Sequence, residues 1–112
     1  MDKLINILKA LSDPNRLRAV MALRHFEELC VCEIKGMLGL ATGTVSRHMD
    51  VLKKARLVKA RKDGRWVYYS LSEEFPRRIL EWITQGIGDD PQVSRDRAHL
   101  AALRAEGTEG KA

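Results

Sequence analysis

The sequence predicts a mainly α-helical domain that carries one β-hairpin. Apolar residues recur at helical spacing through most of the 112 residues. Residues 57–71 instead alternate apolar and polar side chains around Asp63-Gly64, a pattern typical of a hairpin. With 45% hydrophobic and 31% charged residues, the composition is that of a folded chain and excludes a disordered one. We expect one domain over residues 1–88 and a polar tail over 89–112 that is partly helical or frayed.

Three helices are expected before residue 40. Residues 3–11 place four large aliphatic side chains on one stripe, Leu4, Ile5, Leu8 and Leu11. Asp13 suits an N-cap and Pro14 suits the first position of a second helix, because the missing N–H of proline has no partner there anyway. This helix should run to about His25. A third helix should begin near Cys32 and end at Gly39.

The next segment predicts a helix-turn-helix. After the turn at Gly39, Val45, Met49 and Leu52 recur on one face of a fourth helix whose other face is polar and basic. Two helices joined by a short glycine-containing turn are the outline of that motif. The hairpin that follows would be its wing, and a last apolar helix is expected within residues 76–88. The predicted fold class is therefore mainly α with a β-hairpin wing, a winged helix-turn-helix.

The positive charge is concentrated in the same region. The chain carries a net charge of +5, and residues 42–71 contain eight basic and two acidic residues. Such a concentration suits a polyanion such as double-stranded DNA, although a solvated helix face is the alternative. The candidate DNA-binding residues lie in the fourth helix and at the hairpin tip: Thr42, Thr44, Ser46, Arg47, His48, Lys62 and Arg65. Thr42 could instead cap the helix, and His48 could pack against the core.

The first and last helices have more large apolar side chains than so small a core needs. Pairing them across a twofold axis would bury this surplus, and a homodimer would match the reading of a palindromic operator. The alternative is an ordinary core without a partner. The expected interface residues are Leu4, Ile5, Leu8, Ile79, Trp82 and Ile83.

The segment "ELCVCE" contains both cysteines of the chain, Cys30 and Cys32. The sequence has no apolar run of bilayer length and its N-terminus differs from a secretory signal, so we expect a cytoplasmic protein without membrane contact. In a reducing cytosol the cysteines are thiols or ligands rather than a structural disulfide. They could also be two small buried hydrophobes, or a redox pair, although one intervening residue would strain the bridge. No catalytic triad, phosphate loop or paired carboxylate at catalytic spacing is present, so we expect no enzyme.

Four segments, taken in order, are similar to one family. "LSDPNRLRAVMAL", "ELCVCE", "LGLATGTVSRHMDVLKKARLV" and "RKDGRWVYYSL" resemble the ArsR/SmtB family of metal-responsive winged-helix repressors, especially its arsenical-resistance repressors, over residues 3–87. The resemblance implies a dimer that releases DNA when a metal or metalloid inducer binds. Ala41 stands where the family often has a serine, which would leave Thr42 as the cap. Lys35 stands where many arsenical repressors carry a third cysteine, and the paired His/Asp ligands of zinc sensors are absent from the last apolar helix.

Ligand chemistry favours As(III) or Sb(III) at Cys30 and Cys32. These elements are thiophilic, and two thiolates can hold them, with a small thiol or hydroxide as a third ligand. A zinc or cadmium site is the alternative, but closed zinc sites use four ligands and only His25 is close in sequence. Helical residues two apart diverge by roughly 200°, so one arsenic atom could not bridge the two cysteines if both were helical, and binding is expected to distort or unwind the first turn of the third helix. The helix N-terminus is expected to favour the thiolate forms.

Overall fold

The structure is a computed structural model, and it describes residues 1–106. This part of the chain contains six helices and three strands: α1 Asp2–Ala10, α2 Pro14–Phe26, β1 Glu28–Cys30, α3 Val31–Leu38, α4 Thr42–Lys54, β2 Val58–Asp63, β3 Trp66–Leu71, α5 Arg77–Ile87 and α6 Pro91–Ala105. No helix among these residues has the length and apolarity needed to cross a membrane. The predicted fold class is confirmed as regards the helices and the wing.

The helix ends follow the predicted signals. The Asp13 carboxylate accepts hydrogen bonds from the backbone N–H groups of Asn15 and Arg16 at 2.8 and 3.1 Å, and Pro14 is the first residue of α2. Gly39 ends α3 in the left-handed conformation with φ +68°, which glycine adopts without steric cost. This turn sets the direction in which α4 leaves α3.

The sheet is antiparallel, with strand order β1-β3-β2. Asp63 pairs with Trp66, so β2 and β3 are joined by a two-residue turn that starts at Gly64 with φ +63°. The sequence did not predict β1, because a strand of three residues is too short to show an alternating pattern. In β1, Cys30 pairs with Tyr68 of the wing. The segment 28–33, called the dithiol segment below, therefore begins in the wing sheet and ends in the first turn of α3.

The core lies between α2, α3, α4 and the sheet. Its largest fully buried side chains include Leu23 of α2, Leu29 of β1, Ile34 of α3 and Met49 of α4. Because these close-packed side chains come from every element around the dithiol segment, a shift of one element is transmitted to its neighbours. The core therefore couples α3 mechanically to α4.

The segment expected to be a partly frayed tail is a continuous helix where it is described. The Asp90 side chain accepts a hydrogen bond from the Gln92 N–H at the start of α6, and Val93 and Leu100 are buried. Polar contacts add to this packing, since Arg18 of α2 holds the buried Asp96 with bonds of 2.8 and 2.9 Å. The described tail therefore packs on the same core as residues 1–88. Residues 107–112 lie outside the described part.

Candidate DNA-binding surface and dithiol site

The polar face of α4 is accessible as predicted. Thr42 and Arg47 are exposed, while Thr44, Ser46 and His48 are half-buried. The opposite face is held in the core by three fully buried side chains, Val45, Met49 and Leu52. This burial sets the rotation of α4 about its axis, so that its polar side chains point away from the core.

The start of α4 differs from the prediction that Thr42 caps it. The N-cap is Ala41, and no side chain bonds to the first turn; Thr42 is already the first helical residue. The N–H groups of this turn therefore lack a side-chain acceptor, and helix N-termini with such groups suit anions such as phosphate.

Arg16 joins the first helix to α4. Its Nε donates to the carbonyl of Ala10 at 2.7 Å, a terminal nitrogen donates to that of Lys9 at 3.3 Å, and the other lies 3.0 Å from Nδ1 of His48. A guanidinium has no acceptor, so Nδ1 must accept and the ring must carry its proton on Nε2. His48 is thus held by Arg16, and its Nε2–H remains as a donor.

The cations of the hairpin fall into two groups. Along the sheet, Arg61 makes a bidentate ion pair with Glu28, and Lys59 pairs with Glu73. At the tip, Lys62 and Arg65 are exposed, and the Arg65 guanidinium lies 5.4 Å from the centre of the Trp66 ring. Within residues 1–106 neither tip cation forms an ion pair, so both can reach a phosphate.

Cys30 is fully buried at the junction of β1 and α3. Its Sγ accepts a hydrogen bond from the Glu33 N–H at 3.3 Å, and the Glu33 carboxylate accepts one from the Cys30 N–H at 2.9 Å. This reciprocal arrangement is a capping box in which cysteine takes the place usually held by serine or threonine. The Cys30 sulfur therefore stabilises the start of α3.

The expectation that the helix terminus leaves Cys30 as a thiolate is wrong. Burial raises the pKa of the Cys30 thiol to about 11 and outweighs the hydrogen bond from the Glu33 N–H at the helix terminus, which lowers the pKa, so the thiolate of Cys30 is not favoured. Cys30 is also the extended N-cap residue, with φ −77° and ψ 159°, and only Cys32 is helical. The expected divergence was conditional on both cysteines being helical, and that condition is not met. A ligand of the Cys30 sulfur would instead have to displace the hydrogen bond that the buried sulfur makes in the capping box.

The donor set around the thiols is small. Cys32 is half-buried and both cysteines are free. Across residues 1–106, no three His, Cys, Asp or Glu side chains come together in a way that could hold a metal. Thus a closed four-ligand site is not preformed there, whereas a ligand satisfied by two sulfurs needs only Cys30 and Cys32.

Four of the six predicted interface residues line one apolar groove: Leu8, Ile79, Trp82 and Ile83. Leu4, Leu8 and Trp82 are 53%, 55% and 74% exposed. The groove lies between α1 and α5, and its apolar lining also includes Leu11 and Ile87. Ile83 itself is buried in the single chain, so it supports the groove from beneath.

Sequence reasoning missed the polar partners of these sites. Glu33, Arg104 and Arg16 were not singled out, although the spacing Cys30-x-x-Glu33 matches a capping box and could have identified Glu33. Arg104 contacts Glu33 from a position 71 residues away, and no local signal marks such a pair.

The chain is similar to known transcription regulators over most of its length. Residues 13–60 match the family described as "Bacterial regulatory protein, arsR family". The cadmium resistance transcriptional regulatory protein CadC of Listeria innocua is 49% identical over 85 residues, which cover 76% of this chain and 69% of that protein. The arsenic resistance transcriptional regulator ArsR2 of Pseudomonas putida is 32% identical over 106 residues, 95% and 89% of the two chains.

A solved structure agrees with the fold. The homodimeric winged helix-turn-helix DNA-binding domain of Mb0332 from Mycobacterium bovis, a possible ArsR-family transcriptional regulator, superposes with a TM-score of 0.62 at 26% identity, covering 80% of this chain and 81% of that one. The winged helix-turn-helix, the exposed polar face of α4 and these relatives agree with one another. The chain belongs to the ArsR family of bacterial regulatory proteins, which are DNA-binding transcription regulators and not enzymes.

Proposed function

We propose that this protein is a cytoplasmic repressor that binds a palindromic operator as a homodimer and releases it when As(III) or Sb(III) binds Cys30 and Cys32. The observation that carries the proposal is the position of Cys30, which ends β1 and caps α3. Through β1 it is paired with wing strand β3, and through α3 it is packed against α4. A ligand that displaces this sulfur disturbs both DNA-reading elements.

The DNA contacts follow from exposure and charge. Arg47 on α4 is the best candidate for a guanine or a phosphate, because its planar fork can donate two parallel hydrogen bonds. His48 offers its Nε2–H, and the other α4 contacts are Thr42, Thr44 and Ser46. Lys62 and Arg65 should contact phosphates beside the helix. Because the homodimer carries each wing cation twice, replacing either one by Ala should weaken binding to all sequences and reduce the salt slope by about two.

Ligation is chemically balanced without an oxidant. Arsenite exists at neutral pH as uncharged As(OH)₃, and each thiol that forms an As–S bond transfers its proton to a departing hydroxide, which leaves as water. Two thiols thus release two waters, and the third position keeps a hydroxide or takes a small thiol. Because each thiol proton leaves with hydroxide, the raised pKa of Cys30 does not prevent the exchange.

A cadmium sensor is the second candidate. The 49% identity with CadC favours it. Against it stands the donor set, because Cd(II) and Zn(II) sites commonly need more ligands than the two sulfurs, and the described residues contain no such cluster.

Fluorescence anisotropy would test the proposal. A palindromic site selected from a random DNA pool by the purified, reduced protein is titrated with arsenite, antimonite, Cd(II) and Zn(II). The wild type should release DNA with arsenite or antimonite, whereas Cys30→Ser and Cys32→Ser proteins should bind DNA and retain it. A coupling of about 1–3 kcal/mol corresponds to a loss of affinity between about 5- and 150-fold.

Each contrary result is distinct. Release of DNA by Cd(II) alone would favour the cadmium sensor. In a parallel titration with hydrogen peroxide, release of DNA that a reductant then reverses would indicate a thiol-redox sensor. If both serine variants still released DNA on addition of arsenite, the dithiol would not be the inducer site.

A further inference from the structure

The C-terminal half of α6 reaches the dithiol segment through Arg104. Its Nε donates to Glu33 Oε2 at 3.0 Å, and one terminal nitrogen donates to the Glu28 carbonyl at 2.7 Å and to Glu33 Oε1 at 3.3 Å. The guanidinium also lies 5.1 Å from the centre of the Phe26 ring. These contacts come from α2, β1 and α3, so three elements hold the guanidinium of Arg104, whose side chain is 31% exposed.

Glu33 connects Arg104 to the sensor thiol. It is only 2% exposed, and a buried carboxylate is stable only when it is paired and hydrogen-bonded. Arg104 supplies the positive charge, while the Cys30 N–H donates to the same carboxylate. The Glu33 N–H in turn donates to the Cys30 sulfur. Arg104 therefore supports the capping box that encloses Cys30.

We infer that Arg104 is a positioning residue that controls how readily the dithiol can be ligated. Its contact with Glu33 keeps the first turn of α3 closed around Cys30, and a ligand can bind the Cys30 sulfur only when that turn opens. The identity of the ligand, a thiophilic As(III) or Sb(III) species, rests on the proposed function. The opening of the first turn of α3 does not rest on the proposed function, because any thiol reagent that modifies Cys30 detects it.

Thiol alkylation measures the opening directly. In a Cys32→Ser background, iodoacetamide can modify only Cys30, and mass spectrometry follows the rate. Arg104→Met retains an aliphatic stem for packing on Phe26 but removes the charge-assisted hydrogen bonds, so alkylation should become at least about 10-fold faster. Arg104→Lys, which keeps the charge but not the fork, should give an intermediate rate.

Asp96→Asn is the matched control. It weakens the other polar anchor of α6, at Arg18, without touching Glu33. General loosening or unfolding of the protein would accelerate alkylation in both variants, whereas a specific role of Arg104 accelerates it in Arg104→Met alone. Equal acceleration in both variants, or none in Arg104→Met, would overturn the inference. If Arg104→Met does not fold, Glu33→Gln, which keeps the size of the side chain but loses its charge, replaces it in the same comparison.

Operator release adds a second readout. With both cysteines present, Arg104→Met should release DNA at an arsenite concentration about 10-fold lower than the wild type needs. If neither protein responds to arsenite, the proposed inducer is wrong, and the alkylation rates still decide the role of Arg104. An unchanged arsenite requirement in a responding protein would show that closing of this turn does not limit induction.

Discussion

Trp82 provides the sharpest test of the proposed dimer. It lies on α5 with 74% of its surface exposed, beside Leu8 on α1. A Trp82→Ala substitution would remove roughly 150 Å² of apolar surface from each half of the interface, or about 3–4 kcal/mol per copy at about 25 cal/mol per Å². A twofold interface contains the residue twice. The effect on dimerisation should therefore exceed that of any surface substitution elsewhere.

The loss of about 3–4 kcal/mol per copy that follows from the buried area is an upper bound, because the truncated surfaces can rearrange. We expect the dissociation constant of the dimer to rise at least about 100-fold, equivalent to about 2.7 kcal/mol. Sedimentation velocity over a range of protein concentrations measures this constant. The stability of the monomer should change little, because the side chain is mostly outside the core, and urea denaturation of the variant checks that.

Trp66→Ala is the control, because it also removes a tryptophan side chain, but from the wing and not from the α1–α5 face. Its dimer should dissociate like that of the wild type. The α1–α5 face would be excluded as the interface if Trp82→Ala changed the dissociation constant by less than about threefold, or if both tryptophan variants weakened the dimer equally.

Three further predictions concern the polar contacts. Arg16→Met should weaken operator binding about 10-fold without dissociating the dimer, because it frees His48; unchanged anisotropy titrations would contradict this. Asp96→Asn should lower the free energy of unfolding by about 2–3 kcal/mol, because it leaves Arg18 partly buried without its counter-charge; the exposed Asp89→Asn is the urea-denaturation control and should lose far less. Finally, burial raises the pKa of Cys30 from about 9 to about 11, so the folded state holds this proton more tightly than the unfolded state. This stabilisation should be complete below pH 9 and be lost between about pH 9 and 11, and a Cys30→Ser protein that kept the same loss would refute it.

The elements that could be predicted are those with a repeating pattern. Helices α1 to α5 and the wing follow from apolar periodicity, from Asp13 and Pro14 as start signals, and from glycines at two positions that require positive φ. The exposed face of α4 was predictable for the same reason, since Val45 and Met49 identify its buried side.

The features that the sequence indicated only weakly depend on polar pairs distant in sequence. The amphipathic pattern of α6 is weak, and the helix is anchored partly by Asp96 to Arg18, 78 residues away, and by Arg104 to Glu33, 71 residues away. Side-chain pairs at such separations leave no period in a single sequence. Strand β1 was missed for a related reason, because it exists only through its pairing with β3.

In the proposed sensor, the burial of Cys30 determines how the site can respond to a ligand. A sensor that depended on thiolate reactivity would need an accessible thiol of low pKa, whereas Cys30 is buried with its pKa raised to about 11. Its response to a ligand must therefore depend on how often the turn after β1 opens, which is a property of local stability and not of thiol acidity. The contacts of Glu33 and Arg104 stabilise the closed turn, and the same turn joins the wing sheet to α3. In the proposed mechanism, opening that exposes the sulfur also loosens the link between the two DNA-reading elements, so access of the ligand and loss of operator affinity are expected to occur together.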